Sequence, residues 1–192
     1  MRASLTLLLV VLASAFLPAQ TTSVDSGAVT RMERKLERIK SNGALPHPDQ
    51  TPTEFTEHEI NAYLASGKVK LPVGVRSVHL EGQPEIVTGT ARVDFDQLKA
   101  GRRSSNPLLS VFTGIHDVVV VAHAHGAGGQ AFVNVDSVSL DNVDIPRFVL
   151  QMFVDKYLQP KYPNIGLDSR FALPNRIDTA RVGAHKLTVT QK

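Results

Sequence analysis

Residues 144–158, DIPRFVLQMFVDKYL, limit the folds that this chain can adopt. Asp144-Ile145-Pro146 is typical of a helix start, because a proline in the first turn loses no hydrogen bond. Apolar side chains then cover most of the circumference, and Pro160 ends the pattern. A narrow polar edge remains, made of Arg147, Gln151, Asp155 and Lys156. We therefore predict a long apolar helix over 145–158 that needs shelter from water.

Upstream of this helix, residues 69–142 show the two-residue period of β-strands. In 91–96, ARVDFD, apolar and charged residues alternate, which predicts a strand with one dry face. Between 131 and 140 the apolar positions slip from odd to even numbers, which predicts a bulge or a bend. Short turns favour antiparallel pairing. The remaining strand candidates are 69–80, 118–125, a hairpin partner at 130–140 after Gly126–Gly129, and a final hairpin of 177–182 and 185–189.

An apolar helix beside a sheet with one dry face predicts the α+β class: a coiled, mainly antiparallel sheet wrapped around the helix. If the curl is wider than the helix, an apolar slot suited to acyl chains remains. A completely filled core is the alternative. We expect the slot to be lined by Phe148, Met152, Phe153 and Tyr157 from the helix and by Phe95, Val120 and Val133 from strands.

The segment before the sheet predicts an N-terminal amphipathic helix over 24–40. Its apolar residues, Val29, Met32, Leu36 and Ile39, recur three and four positions apart among many charges. Such a narrow stripe usually docks on a sheet or another helix. A basic helix on a membrane surface is the alternative, although the bulky apolar residues of such helices are absent. Three prolines in 41–53 indicate a linker, so that the main domain spans 54–192.

A second helix is predicted to begin at Thr56. Its hydroxyl can accept a hydrogen bond from the backbone of Glu59, whose carboxylate can return one to Thr56. Phe55 and Ile60 occupy the positions of a hydrophobic staple, and Gly67 is placed to end the helix.

Composition narrows the classes of function. The chain has 192 residues, a formal charge of +3 and no cysteine. Without cysteine there can be no disulfide, thiol catalysis, iron–sulfur cluster or lipid on an N-terminal cysteine. The small positive charge, which falls to +2 if Arg2 is removed, does not indicate nucleic-acid binding.

Residues 1–20 predict a signal peptide. Arg2 precedes the apolar run Leu5–Leu12, and Ala13-Ser14-Ala15 supplies the small residues of a cleavage site. The run is shorter than the roughly 20 residues that span a bilayer. An uncleaved anchor is the alternative, and either outcome places the domain outside the cytoplasm, in the periplasm or secreted.

Candidate chemistry is sparse. His123 and His125 lie two apart on a predicted strand, so they share a face as metal ligands can, with His116 and Asp117 upstream. A third ligand and a carboxylate base are missing from this pattern, so two polar residues at a strand end are the favoured interpretation. The sequence contains no nucleophile motif. A glycosidase needs two facing carboxylates, but Asp94 and Asp96 are interpreted as residues on the solvent-exposed face of a strand. We expect no catalytic residue, cofactor or metal.

A small basic loop is a further candidate. Lys99, Arg102 and Arg103, followed by Ser104-Ser105-Asn106, could meet a phosphate or an anionic lipid head group. A solvated loop is the alternative, since three charges are ordinary for a protein surface.

Several motifs resemble a known family. FTEHEINAYL (55–64), LPVGV (71–75) and VTGTARVDFDQL (87–98) are similar to small exported bacterial proteins of the tubular lipid-binding (TULIP) superfamily, and 145–158 and 173–189 are weakly similar. The resemblance implies half a TULIP unit, a coiled sheet around a long helix that holds lipid or another apolar ligand. It supplies no catalytic residue, and the cysteine of the lipoprotein relatives is absent.

The sequence thus predicts an exported, non-enzymatic protein that binds a lipid or other apolar ligand between helix and sheet, with possible peripheral contact to a membrane or protein partner. The alternative is an interaction domain with a filled core that recruits a partner through helix 24–40. A histidine-metal hydrolase is the third hypothesis.

Overall fold

The computed structural model describes residues 24–99 and 105–192, and this part of the chain forms an α+β fold. Four helices accompany one mostly antiparallel, open sheet of nine strands, which confirms the predicted class. Within the described ranges, no helix has both the length and the apolar character required to cross a bilayer. The predicted signal peptide, residues 1–20, lies outside the described residues.

The elements follow one another with short connections. The helices are α1 (Ser26–Gly43), α2 (Glu57–Ala65), α3 (Phe95–Leu98) and α4 (Arg147–Phe153), which continues as a π-helical turn over Val154–Leu158. A 3₁₀ turn covers Pro107–Leu109. The strands are β1 (Thr53–Thr56), β2 (Val75–Gln83), β3 (Ile86–Asp94), β4 (Ile115–Ala127), β5 (Gln130–Leu140), β6 (Val143–Asp144), β7 (Asp168–Ala172), β8 (Ile177–Gly183) and β9 (Lys186–Gln191).

The long strand β4 organises the sheet. Along one edge it pairs with β5, which in turn pairs with β6 and β7. Along its other edge it pairs with β3 as far as His123, and then with β8 at His125 and Gly126. Strands β8, β9 and β1 therefore extend the sheet from a different part of β4 than β3 and β2 do.

Local signals in the sequence are confirmed in the sheet. Val121 lies opposite Ser137 and Ala122 opposite Val135, so Asp136 is the extra residue of a bulge. This bulge is the physical cause of the slip from odd to even apolar positions. Gly128 and Gly129, both with positive φ, form the two-residue turn between β4 and β5. The closing hairpin, β8–β9, is also present.

The main core lies between α4 and strands β3, β4 and β5. Four aromatic rings meet at its centre: Phe95, Phe112, Phe153 and Tyr157. The Phe112 and Phe153 ring centroids are 4.2 Å apart, and Phe112 and Tyr157 are each 1% exposed. Aromatic side chains therefore lie in contact with one another between the helix and the sheet at this level.

Three expectations near this core are corrected. Strand β3 ends at Asp94, and Phe95 begins the short helix α3 rather than continuing the strand. The reason is that the Asp94 side chain accepts a hydrogen bond from the backbone of Gln97 and caps the helix. Asp94 also accepts from Arg76 at 2.9 Å and is buried, so it is not on a solvent face. The apolar helix begins at Arg147, after Ile145-Pro146.

Helix α1 packs on the other part of the sheet, and the predicted linker ends in a strand. Ala28 and Val29 pack against Ala62 of α2, while Ile39 packs against Phe55 and Val189. Strand β1 pairs with β9, which brings together residues that are 130 or more positions apart. The amphipathic stripe of α1 therefore docks within its own chain.

The core assignment predicts different effects for two phenylalanines of one helix. Phe153 is 5% exposed and Phe148 is 59% exposed. Phe153→Ala should lower the free energy of unfolding by about 3–5 kcal/mol, because it leaves a cavity among aromatic rings. Phe148→Ala should change it by less than about 0.5 kcal/mol. Urea denaturation measures both; equal losses would contradict the described packing.

Candidate functional site

Helix α2 begins with the predicted capping box. The Thr56 hydroxyl accepts a hydrogen bond from the Glu59 backbone at 3.2 Å, and the Glu59 carboxylate accepts one from the Thr56 backbone at 3.0 Å. The staple residues Phe55 and Ile60 pack in one cluster, and Gly67 adopts the positive φ expected beyond the helix end. This start fixes where β1 passes into α2.

Glu59 also joins α2 to α1. Its carboxylate is 3% exposed and receives Lys35 Nζ at 2.6 Å and Arg31 Nε at 3.3 Å. Burial raises the pKa of Glu59, but the hydrogen bonds from Lys35 and from the Thr56 backbone outweigh it, so the net pKa is below its usual value. A buried negative charge thus holds two cations of α1 against α2.

Two more polar residues of α2 close the free edge of β2. The Glu57 carboxylate accepts a hydrogen bond from the Gly82 backbone at 2.9 Å, which is the largest cause of its lowered pKa. The Asn61 amide donates to the Leu80 carbonyl at 2.7 Å and accepts from the Leu80 backbone at 2.8 Å. The polar residues of the motif at 55–64 therefore join α2 to α1 and to β2.

An apolar groove of about 610 Å³ lies between α1 and the sheet. Both ends of α1 are held: Asp25 accepts a hydrogen bond from His58, and Gln191 donates to the Ile39 carbonyl at 2.8 Å. The middle of the helix, Met32 and Leu36, faces the groove. Its lining consists of Met32, Glu33, Leu36, Glu37, Ile39, Lys40, Phe55, Tyr63, Pro174, Asn175, Ile177, Leu187 and Val189.

The end of α1 lies close to the backbone of the turn that precedes β8. A Cβ on Gly43 would lie 2.3 Å from the Asn175 carbonyl oxygen, so no other residue fits there without a shift. A second apolar hollow, of about 110 Å³, lies under α2 and shares Leu187 with the groove. Leu187 thus lies between two spaces on the dry face of this part of the sheet.

The seven residues predicted to line a slot lie elsewhere. Phe95, Phe153 and Tyr157 are buried in the main core, and Met152 and Val120 pack against it. Phe148 is exposed, and Val133 is partly buried outside that cluster. The lining of the α1 groove contains none of the seven.

The histidines do not come together around a metal site. His123 and His125 share a face of β4, whereas His116 points to the opposite face. Both ring nitrogens of His116 bond to acceptors, the Asp141 carboxylate at 2.5 Å and the Thr113 carbonyl at 2.7 Å. The Asp141 hydrogen bond, followed by that to Thr113, raises the pKa of His116 against the effect of burial. Among the described residues, no group of three or more histidines and carboxylates is placed to hold a metal ion.

The basic loop is only partly described. Arg102, Arg103 and Ser104 lie outside the described residues. Lys99 is 7% exposed and lies 3.5 Å from the Asp96 carboxylate, so it is not a solvated loop residue. The Asn106 side chain accepts a hydrogen bond from the Leu108 backbone and begins the 3₁₀ turn.

Sequence reasoning missed the groove under α1, although one signal pointed to it. The stripe of α1 holds one apolar residue per turn, which is narrow for a helix docked along its whole length. A helix of this kind buries its ends and leaves its middle in partial contact with water, as Leu36, 36% exposed, shows.

Comparison with known proteins adds no constraint on the site: no protein-family model, curated protein or solved structure matches this chain.

The Glu59 junction predicts a pH-dependent stability. Glu59→Gln keeps the shape of the side chain but removes its charge, so at pH 7 the free energy of unfolding should fall by about 1–3 kcal/mol. Because the pKa is lowered in the folded state, the stabilisation is present above the unfolded value of about 4.3 and is lost as the pH falls through the folded pKa. The difference between wild type and variant should therefore shrink in acid.

Glu54→Gln is the matched control. Glu54 is 56% exposed and pairs with Lys186 at 2.9 Å on the surface, so its loss should cost less than about 0.5 kcal/mol. Chemical denaturation from pH 3 to 7 measures all three proteins. An equal effect of the two substitutions at pH 7 would show that Glu59 does not join the helices.

Proposed function

We propose that this protein is an exported, non-enzymatic carrier of a lipid-like ligand, and that the ligand binds in the groove between α1 and the sheet. The main observation in support is the groove itself, a space of about 610 Å³ lined mostly by apolar side chains. Ligand pockets in proteins typically measure about 300–1,000 Å³ and are lined in this way. The proposal keeps the class of ligand predicted from the sequence and moves the site to α1.

The shape of the groove favours an elongated ligand. It follows α1 from Met32 to Lys40, a distance of about 12 Å along the helix axis. One wall is the helix and the other is the dry face of β8 and β9. Met32 supports binding of flexible chains, because a thioether side chain adapts its shape at little cost.

Charges at the rim support an amphiphile rather than a hydrocarbon. Lys40 lies at the end of the groove near Asn175. Its ammonium nitrogen is 3.8 Å from a carboxylate oxygen of Glu37, and this long distance leaves the ammonium group able to bind a ligand carboxylate as well. Glu33, nearer the other end, pairs with Lys68. We propose that the head group of a fatty acid lies at the Lys40 end.

The non-enzymatic part of the proposal follows from the side chains in the groove. Among the described residues that line it there is no serine, threonine or histidine, the usual nucleophile and base of a hydrolase. Its ionisable side chains are Glu33, Glu37, Lys40 and Tyr63, and the three on α1 lie along the rim. An apolar wall without an activated nucleophile favours holding a ligand over transforming it.

The resemblance to TULIP proteins supports export and lipid binding as parts of this proposal. It also implies that the sheet coils around the helix over Arg147–Leu158. The bulge at Asp136 favours such a curl, because a bulge bends the strand that contains it. We retain the coiled arrangement as a proposal beside the open sheet.

A charge in the groove should block the ligand. We predict that Leu36→Arg weakens the binding of dansyl-undecanoic acid at least about tenfold, because a guanidinium in an apolar site must be desolvated. Leu108→Arg is the matched control: Leu108 is 48% exposed, lies outside the groove, and should leave binding within about twofold. Fluorescence titration measures the affinity.

Mass spectrometry of organic extracts from the purified protein identifies any ligand carried from the cell. Recovery of the same lipid from wild type and the Leu108→Arg variant, but not from Leu36→Arg, supports the proposal. Absence of lipid from every preparation, together with no uptake of the fluorescent fatty acid, would contradict it and favour an interaction domain.

A further inference from the structure

A concave basin of about 740 Å³ lies on the sheet at the point where β4 changes partner from β3 to β8. It is distinct from the groove under α1, with which it shares no residue. Six of its ten lining residues have polar side chains; the ten are Glu85, His123, Ala124, His125, Gly126, Ala127, Asn134, Thr179, Arg181 and Val182.

The basin exists because the two partner strands of β4 diverge. Strand β3 begins at Ile86, opposite His123, and β8 pairs only with His125 and Gly126. Glu85 spans the gap with its backbone: its amide donates to the Val182 carbonyl at 3.1 Å and its carbonyl accepts from Ala124 at 2.9 Å. Glu85 has a positive φ of 65°, a conformation that a non-glycine residue adopts at a cost. The depression is thus built into the sheet.

A row of side chains crosses four strands along one side of the basin. Arg181 lies opposite His125, His125 opposite Phe132, and Phe132 opposite Arg170. Directly opposite residues of antiparallel strands project from the same face. The His125 and Phe132 rings stack with centroids 5.0 Å apart and an interplanar angle of 15°, and Arg170 lies 5.0 Å from the Phe132 centroid. This stacking fixes the orientation of the His125 ring next to Arg181.

Hydrogen-bond donors at the basin outnumber its acidic groups. Among the described residues, no carboxylate lies within ion-pair distance of the exposed Arg181 guanidinium, and His125 makes no hydrogen bond through its ring. His123 donates through Nδ1 to Asp136 at 2.7 Å, which leaves Nε2 for a ligand. Of the lining residues, Glu85 is acidic.

We propose that the basin binds a phosphate group carried by a small polar molecule, with the Arg181 guanidinium and the His125 ring as donors to the phosphate oxygens. His123 donates through Nε2 as well when both of its ring nitrogens are protonated, because a neutral ring whose Nδ1 donates to Asp136 has an acceptor at Nε2. A guanidinium is the side chain best suited to phosphate, because its planar fork forms two parallel hydrogen bonds. The volume exceeds that of one phosphate, so the rest of the ligand lies in the basin as well. Asn134 and Glu85 can bond hydroxyl groups of that part, as in a glycerol phosphate or a sugar phosphate.

Two variants test this assignment without disturbing the core. Arg181→Gln removes the guanidinium from an exposed position, and His125→Phe keeps a ring on Phe132 but removes both ring nitrogens. Arg92→Gln is the control. Arg92 is an exposed arginine of β3 on the same face of the sheet as Arg181, and it lies 3.9 Å from Asp117 and outside the basin. NMR chemical-shift titration with glycerol phosphate gives the affinity and shows that each variant is folded.

We expect Arg181→Gln to weaken glycerol phosphate binding at least about tenfold and His125→Phe severalfold, with Arg92→Gln unchanged. Sedimentation with phosphatidylglycerol vesicles, compared with phosphatidylcholine vesicles, distinguishes a lipid head group from a free phosphate ester. The same ranking of the variants by affinity in either assay supports the site. The assay that shows binding also tells whether the phosphate belongs to a lipid head group or to a free phosphate ester. No binding in both assays, or equal binding by Arg181→Gln and Arg92→Gln, would overturn it, whatever the result of the fatty-acid titration.

Discussion

The contact between the Glu59 carboxylate and the two cations of α1 is the constraint on which the arrangement of the helices depends. Glu59 caps α2, and the same carboxylate receives Lys35 and Arg31. Because a buried carboxylate without partners is costly, α1 is held where its cations reach Glu59. The end of β1, the start of α2 and the position of α1 are set by one side chain.

The groove follows from that constraint and from the second anchor at Gln191. A helix held at both ends over a sheet buries its terminal apolar residues, here Val29 and Ile39, and leaves its centre away from the sheet. In the main core, by contrast, aromatic rings pack against one another around Phe153. One sheet thus supports an aromatic core under α4 and an open apolar groove under α1, with a basin where the two parts of the sheet meet.

The sequence predicted the features that depend on neighbouring residues. The capping box at Thr56, the turn at Gly128-Gly129 and the bulge at Asp136 each arise within a few positions of the chain. Strand β1 was not predicted, because its four residues acquire their partner only from the distant β9. Phe95 was placed in a strand because the alternation continues past Asp94, and the cap that ends the strand is a competing local signal.

The candidate site was harder to predict for the same reason. The residues of the groove come from α1, α2, β1, β8 and β9, and those of the basin from β4, β5, β8 and the turn at Glu85. Apolar periodicity shows that a helix docks but not how much of its stripe is covered. His123 and His125 were recognised as a pair on one face, whereas Arg181 joins them only through the pairing of β8 with β4.

Methionine methyl groups offer the most direct test of where a lipid binds. The chain has three methionines, of which Met32 lines the groove and Met152 packs at the main core. In a titration of protein labelled with ¹³C at the methionine methyl groups, a fatty acid should shift the Met32 signal and give intermolecular contacts to it, while Met152 is unaffected. A shift confined to Met152 would place the ligand against α4 and contradict the account of a groove under α1.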